Sequence, residues 1–191
     1  MADQLATPED LAALLQLDWG TLTDAEKASL TMLVEIGTAV VQGEVRQRLV
    51  QATDTISLVG TTESWLPLPE RPVTEVSSVS LDGQPIDDWQ LHGSRLWRPD
   101  GWAASAYEPT TVEVTYTHGY PPGHQALQLA RGATLAVVRD WAANPTAATS
   151  IRIDDYAETY SAMAARLEAS TYLRAALHRM YGQRGGLVRV G

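Results

Sequence analysis

The chain has 191 residues, of which 45% are hydrophobic, and a formal net charge of −9; this length supports one core, or a core with a smaller satellite. Its acidity argues against general nucleic-acid binding, which needs clustered Lys and Arg, and the absence of cysteine excludes a disulfide framework and a thiolate metal site. No apolar run approaches the ~20 residues that cross a bilayer, and the acidic start of the chain lacks a signal-peptide pattern, so we expect a protein made in the cytoplasm with no membrane partner.

Two helices are predicted in the first fifty residues. Thr7-Pro8-Glu9-Asp10 starts the first, with a capping Thr and Pro at the first helical position, and the helix should end near Leu17. Thr23-Asp24-Ala25-Glu26 is a capping box for a longer second helix. Gly37 and Gly43 inside that helix each cost about 1 kcal/mol relative to Ala, which close helix packing would explain. Its apolar face consists of Leu30, Leu33, Val34, Gly37, Val40, Val41, Val45 and Leu49.

From Thr53 the hydrophobic period changes to two, which predicts strands. Pro67, Pro69 and Pro72 cannot donate ladder hydrogen bonds, so their segment should lie at a sheet edge. Asp82-Gly83 predicts a hairpin turn, with a return strand through Ile86, Trp89 and Leu91 and a further strand at Leu96 and Trp97. The last strand, 111–117, alternates cleanly, so Val112, Val114 and Tyr116 should face the core of a sheet covered on one side.

The segment His118-Gly119-Tyr120-Pro121-Pro122 turns the chain into a third helix, which Asn144-Pro145 ends. The apolar face of this helix consists of Leu127, Ala130, Thr134, Val137, Val138 and Trp141. Residues 146–160 are predicted to be irregular or β-like. A last helix carries Tyr172, Leu173, Ala176, Leu177 and Met180, and glycines after it release an extended tail.

The predicted fold is therefore α+β: a helical bundle with an antiparallel β-sheet inserted between the second and third helices. Residues 1–52 supply the N-terminal helices of the bundle and residues 53–120 the β-rich insertion. Residues 121–183 supply the C-terminal helices, and residues 184–191 form the extended tail.

Candidate chemistry is sparse. Asp87-Asp88 and Asp154-Asp155 are adjacent carboxylates that would point to opposite faces of a strand, so we interpret them as turn and loop residues. His92, His118, His124 and His178 lack metal-ligand spacing. We expect His118 to make a turn hydrogen bond and His124 to cap the third helix, with a metal site between them as the less favoured alternative. There is no nucleophile elbow and no phosphate loop, so we predict no catalytic residue, no metal and no cofactor.

Four of the six tryptophans lie in or beside the β block: Trp65, Trp89, Trp97 and Trp102. Exposed tryptophans on a sheet can stack on sugars, which would indicate a carbohydrate-binding domain. The alternative is that they fill the core of a small sheet in a chain without Phe, and we favour this interpretation.

One ordered set of motifs resembles a known family. Trp65-Leu66-Pro67-Leu68-Pro69-Glu70-Arg71-Pro72-Val73 is followed by Val79-Ser80-Leu81-Asp82-Gly83, and then by Thr111-Val112-Glu113-Val114-Thr115-Tyr116-Thr117-His118-Gly119-Tyr120-Pro121-Pro122 before a helix. This order is similar to that of the head-tail connector (adaptor) proteins of long-tailed bacteriophages.

The resemblance implies a structural virion protein, not an enzyme, assembled in the host cytoplasm and located at the head-tail interface. It implies a homo-oligomeric ring, a dodecamer in this family, beneath the portal protein. The ring would extend the channel through which double-stranded DNA passes and offer a docking surface to the stopper or tail protein. The tail would grip the portal through Arg184, Leu187, Val188, Arg189 and Val190.

Charge is distributed unevenly along the chain. The first thirty residues hold Asp3, Glu9, Asp10, Asp18, Asp24 and Glu26 against Lys27, and the last stretch holds Arg166, Arg174, Arg179, Arg184 and Arg189 against Glu168. In a ring that conducts DNA, acidic residues facing the channel would repel phosphate and ease transit. A virion or surface protein with a carbohydrate-binding β domain is the alternative function, and an enzyme of unrecognised type is a third.

Overall fold

The computed structural model describes residues 4–103, 108–143, 150–153, 156–159 and 171–182. The chain forms two compact units, a helical one that ends at Arg46 and resumes at Gln125, and a β-rich one spanning Gln47–His124. The fold is α+β, as predicted, with the β-rich unit inserted between the second and third helices. The helices are α1 (Pro8–Leu14), α2 (Asp24–Val45), α3 (Gln128–Ala143) and α4 (Thr171–Tyr181). The strands are β1 (Ala52–Val59), β2 (Trp65–Pro67), β3 (Val73–Leu81), β4 (Gln84–Pro85), β5 (Gln90–His92), β6 (Arg95–Trp97), β7 (Thr111–His118), β8 (Ser150–Ile153) and β9 (Tyr156–Thr159).

The predicted starts of the first two helices are confirmed, and both are capping boxes. The Asp10 N–H donates to Thr7 Oγ1 at 3.1 Å, and the Thr23 N–H donates to the Glu26 carboxylate at 2.8 Å. Both helices end earlier than predicted. The first ends at Leu14, and the second ends at Val45 because Arg46 adopts a left-handed backbone with φ of 56°.

The close packing predicted for Gly37 is confirmed. A Cβ built on Gly37 would lie 2.4 Å from Val138 Cγ1 of α3, so a larger residue would force Val138 to move. The same prediction is wrong for Gly43, which is exposed and has nothing within 4 Å of a built Cβ. The helical core beside this contact contains Leu11, Leu30, Val34 and Val138.

The predicted last helix is present, and its apolar residues are only partly buried. Leu177 and Tyr181 are buried, but Tyr172 is 87% and Met180 50% exposed. The buried side of the helix instead includes Tyr181, whose hydroxyl donates to the Ala126 carbonyl in the 3₁₀ turn before α3. This hydrogen bond therefore sets the orientation of α4. The spacing of the apolar residues does not predict it.

The main sheet is antiparallel, with strand order β1-β7-β3-β4. In the central strand, β7, Val112, Val114 and Tyr116 are fully buried, which confirms the predicted alternation. The predicted hairpin turn is present, with Asp82 and Gly83 both at positive φ, as a two-residue primed turn requires.

The predicted return strand through Ile86, Trp89 and Leu91 is wrong. After the short β4 the chain leaves the main sheet, and β5 pairs with β6 in a separate sheet of order β2-β6-β5. Pro67 lies in β2, at the edge of that second sheet, as its missing donor predicted. Trp102 is fully buried in the core of the β unit, and its Nε1 donates to the Ser64 carbonyl at 3.1 Å.

Strands β8 and β9 form a hairpin in the helical unit, with Ser150 opposite Thr159 and Ile153 opposite Tyr156. They confirm the predicted β character of that part of 146–160 which the structure describes. Over the same described ranges, no helix is both long and apolar enough to cross a membrane.

Candidate functional site

A polar cluster joins the motifs that carry the family resemblance. His118 at the end of β7 is fully buried, and its Nε2 donates to the Asp54 carboxylate at 3.0 Å. Arg48 donates to the same carboxylate at 3.0 Å. The hydrogen bond from His118, with the positive charge of Arg48, holds the pKa of Asp54 below its ordinary value despite partial burial.

The segment around the motif prolines closes the cluster on a second side. Glu70 accepts a hydrogen bond from the Arg48 backbone N–H at 2.9 Å. Tyr116 lies against His118, with ring centroids 5.1 Å apart, and burial raises the pKa of its hydroxyl to about 12. This phenol therefore stays protonated at physiological pH.

The cluster lies where the chain enters and leaves the β unit. The N–H of Gln51 donates to the Tyr120 carbonyl, and the N–H of Tyr120 donates to the Leu49 carbonyl, both at 2.8 Å. Gly119, at φ of +81°, lies so close to Val50 that a Cβ would approach the Val50 carbonyl oxygen to 2.6 Å. Backbone hydrogen bonds therefore hold the segments that enter and leave the β unit next to each other. This use of polar groups is structural rather than catalytic.

The remaining candidate histidines and acids are not brought together for chemistry. His124 stacks on Tyr120 with ring centroids 5.2 Å apart, and His92 meets the edge of Trp65 at 5.6 Å. The turn hydrogen bond predicted for His118 is wrong, because its ring instead pairs across strands with Asp54. No cluster of three His, Asp or Glu side chains able to hold a metal occurs in the described part of the chain.

Of the two pairs of adjacent carboxylates, Asp87-Asp88 lies in a loop, as predicted. Both oxygens of Asp88 accept from Arg98 Nε at 2.9 Å, and that hydrogen bond lowers the pKa of Asp88. This ion pair fastens a turn. The second carboxylate pair, Asp154-Asp155, lies outside the described residues.

Ion pairs also tie the helices of the helical unit together. Arg131 of α3 grips both carboxylate oxygens of Asp10 of α1, at 2.6 and 2.9 Å, and this hydrogen bonding lowers the pKa of Asp10. Glu44 of α2 accepts from Arg174 at 2.9 Å and from His178 at 2.7 Å, both on α4. Although burial opposes it, these two donors lower the pKa of Glu44.

One face of the main sheet is lined with hydroxyl groups. The Thr53 and Thr117 hydroxyls lie 2.8 Å apart, and the Thr55 and Thr115 hydroxyls 2.9 Å apart. The face also carries two acids, Glu75 and Glu113, and no basic residue. It is a polar, weakly acidic surface that offers neither an acid-base pair nor a nucleophile beside a base.

The tryptophans of the β block support the core interpretation. Trp102 is fully buried, and Trp89 and Trp97 are partly buried. Among the tryptophans in the described ranges only Trp65 is exposed, at 43%. A single exposed ring is a poor platform for stacking on a sugar chain.

The sequence predicted the portal-binding residues of the tail but not the polar cluster. The predicted portal-binding residues, Arg184, Leu187, Val188, Arg189 and Val190, lie outside the described residues. The polar cluster was not predicted, because Arg48 and Asp54 are far from His118 in sequence. The one signal that could have found it is Asp54 at an inward position of an otherwise alternating strand.

The fold is shared with a chain of a solved structure described as "Neck of empty GTA particle computed with C6 symmetry". The TM-score is 0.61 at 17% sequence identity, and the match covers 93% of this chain and 90% of that chain. A chain of "Virion of native gene transfer agent (GTA) particle" matches with a TM-score of 0.49 at 17% identity, covering 85% of this chain and 87% of that chain. No family model and no curated protein sequence matches this chain.

Proposed function

We propose that this protein is a structural head-tail adaptor of a phage-like particle. It forms a ring beneath the portal, extends the DNA channel and offers a docking surface to the stopper or tail protein. The observation that carries the proposal is the fold shared with a particle-neck chain over nearly the full length of both chains. The motif order of 65–83 and 111–122 supports the same function from the sequence.

The polar groups of the described residues favour assembly over catalysis. The buried His118 and Asp54 join segments of the β unit, and Asp10, Glu44 and their partners join helices. Each of these groups already has a partner that stabilises the fold. We therefore propose that the protein is not an enzyme and needs no cofactor.

The net charge of −9 suits a ring through which DNA must pass without sticking. Clustered cations would hold phosphate, whereas acidic residues repel it. The hydroxyl-lined sheet face, with Glu75 and Glu113 and no basic residue, fits this requirement if it is turned toward the channel. In that role the surface guides DNA and does not bind it.

The tail provides a direct test of portal docking. Deleting residues 184–191 removes two Arg and three Val or Leu residues, so we expect at least a tenfold loss of co-purification with the portal protein of the same particle, equivalent to about 1.4 kcal/mol. Arg95→Ala, an exposed change in the β unit, is the control and should co-purify normally. Normal co-purification of the truncated chain would contradict the assignment of the tail.

A further inference from the structure

Helix α4 has apolar residues on two opposite sides, and the fold buries only one of them. Leu177 and Tyr181 are buried, whereas Tyr172 is 87% exposed and Met180 is 50% exposed. A surface helix normally keeps its apolar residues on the buried side and polar residues on the other. We therefore expect the exposed apolar side of α4 to be covered when the protein assembles.

The exposed side of α4 has the residue spacing of a helix-packing surface. This α4 outer side consists of four exposed residues: Tyr172, Ala175, Arg179 and Met180. The first three follow one another at intervals of three and four positions, which places them in one row along the helix. The other two basic side chains of α4 bind Glu44 of α2 in the same copy. Arg179 is therefore the charge that the α4 outer side presents.

Helix α2 has an exposed side with the same spacing and the opposite charge. This α2 outer side consists of five exposed residues: Ala25, Ala28, Met32, Glu35 and Ala39. Their intervals alternate between three and four positions, as the contact residues of paired helices do. Met32 is 61% exposed, so a large apolar side chain lies uncovered here as well. Each of the two outer sides thus combines apolar residues with one charge, and the two charges have opposite sign.

Charge favours α2 over the other long helix as the partner of α4. Helix α4 holds Arg174 and Arg179 and no acid. Helix α2 holds four acids against Lys27, whereas α3 holds two Arg against Asp140. An acidic helix attracts α4, and a basic helix repels it. Size favours the same pairing, because the alanines of the α2 outer side leave room for the large ring of Tyr172.

We propose that the α4 outer side of one copy packs against the α2 outer side of the next copy, with Arg179 beside Glu35. Within one copy α4 binds α2 through Glu44, which lies on another side of α2 at 100° per residue, so the two contacts do not compete. The contact joins different surfaces of the two copies, and such head-to-tail contacts generate rings when the rotation closes. The inference rests on the proposed ring and names the helices that build it.

Charge reversal tests the contact. Arg179→Glu brings two acids together across the boundary and should reduce the yield of rings, formed alone or on the portal protein, about tenfold or more. Adding Glu35→Arg to the same chain restores an opposite pair with the charges exchanged, so the yield should recover. Arg95→Glu is the same change at an exposed position of the β unit and should leave the yield unchanged. Since all three positions are exposed, every variant should keep the circular dichroism spectrum of the unaltered chain.

Cross-linking identifies the two helices directly, because the chain has no cysteine of its own. A chain carrying Ala175→Cys is mixed with a differently tagged chain carrying Ala39→Cys or Met32→Cys, assembled, and treated with a short bismaleimide. We expect a linked pair with one copy of each chain, through Ala39→Cys if the helices are antiparallel and through Met32→Cys if they are parallel. Gly132→Cys, at an exposed position of α3, is the control and should give about tenfold less product or lower still.

The outcomes separate this contact from the ring itself. Rings that form normally with Arg179→Glu, a loss that Glu35→Arg does not reverse, or cross-links no stronger than the Gly132→Cys control would overturn the contact and leave the ring proposal intact. If the unaltered chain forms no ring, alone or on the portal protein, the proposed function and this contact fall together.

Discussion

The side chain of Asp54 links the segment that enters the β unit to the segment that leaves it. Its carboxylate accepts from His118 and from Arg48, each at 3.0 Å. Because His118 is fully buried, loss of its acceptor would leave a buried N–H without a partner, which typically costs about 1–3 kcal/mol. The importance of Asp54 therefore lies in what it satisfies, and its own partial exposure limits the direct charge contribution.

Asp54→Ala should reduce the free energy of unfolding by about 1–2 kcal/mol at pH 7, measured by urea titration of tryptophan fluorescence. The folded-state pKa of Asp54 is lowered from 3.8, so its contribution is present above that value and lost as pH falls through the folded-state pKa. The difference between the two proteins should therefore shrink in acid. Asp88→Ala removes the acceptor of Arg98, which is partly exposed, whereas His118 is fully buried; it is the control and should cost less. Equal losses in the two variants, or a difference that grows in acid, would contradict this role.

At the scale of elements, one glycine allows the close approach of α2 and α3. Gly37 lies against Val138 and Thr134, whereas Gly43 faces open space. The two glycines share one helix and the same intrinsic cost relative to Ala, so they form a matched pair of positions. Because their surroundings differ, Gly→Ala should change the stability of the protein in opposite directions at the two positions.

Gly37→Ala should destabilise the protein by about 1–2 kcal/mol, since overpacking outweighs the gain in helix propensity. Gly43→Ala should stabilise it by roughly 0.5 kcal/mol or more. Thermal unfolding followed by circular dichroism measures both changes. Stabilisation by Gly37→Ala would show that α2 and α3 are not packed closely at this point.

Local signals predicted the elements well wherever local chemistry decides them. Thr7, Thr23 and the Asp82-Gly83 turn are confirmed because caps and tight turns depend on neighbouring residues. The end of α2 and the rotation of α4 were not predicted, because the left-handed Arg46 and the anchoring of Tyr181 depend on tertiary contacts. The polar cluster was missed for the same reason, since Asp54 and His118 meet only after β1 and β7 pair.

At the scale of the whole molecule, the chain combines stable local units with surfaces that suit assembly. Its ion pairs join elements within one unit, as between Asp10 and Arg131 and between Asp54 and His118, while β1 has only β7 as a partner strand within the described residues. The proposed adaptor role would build on this fold, which is shared with the particle-neck chain.

Electron microscopy of the purified protein mixed with the portal protein of the same particle tests the central claim most directly. The account predicts a ring of this chain stacked coaxially on the portal, with an open central channel. A protein that remains monomeric both alone and with the portal, and is absent from the neck of purified particles, would contradict it.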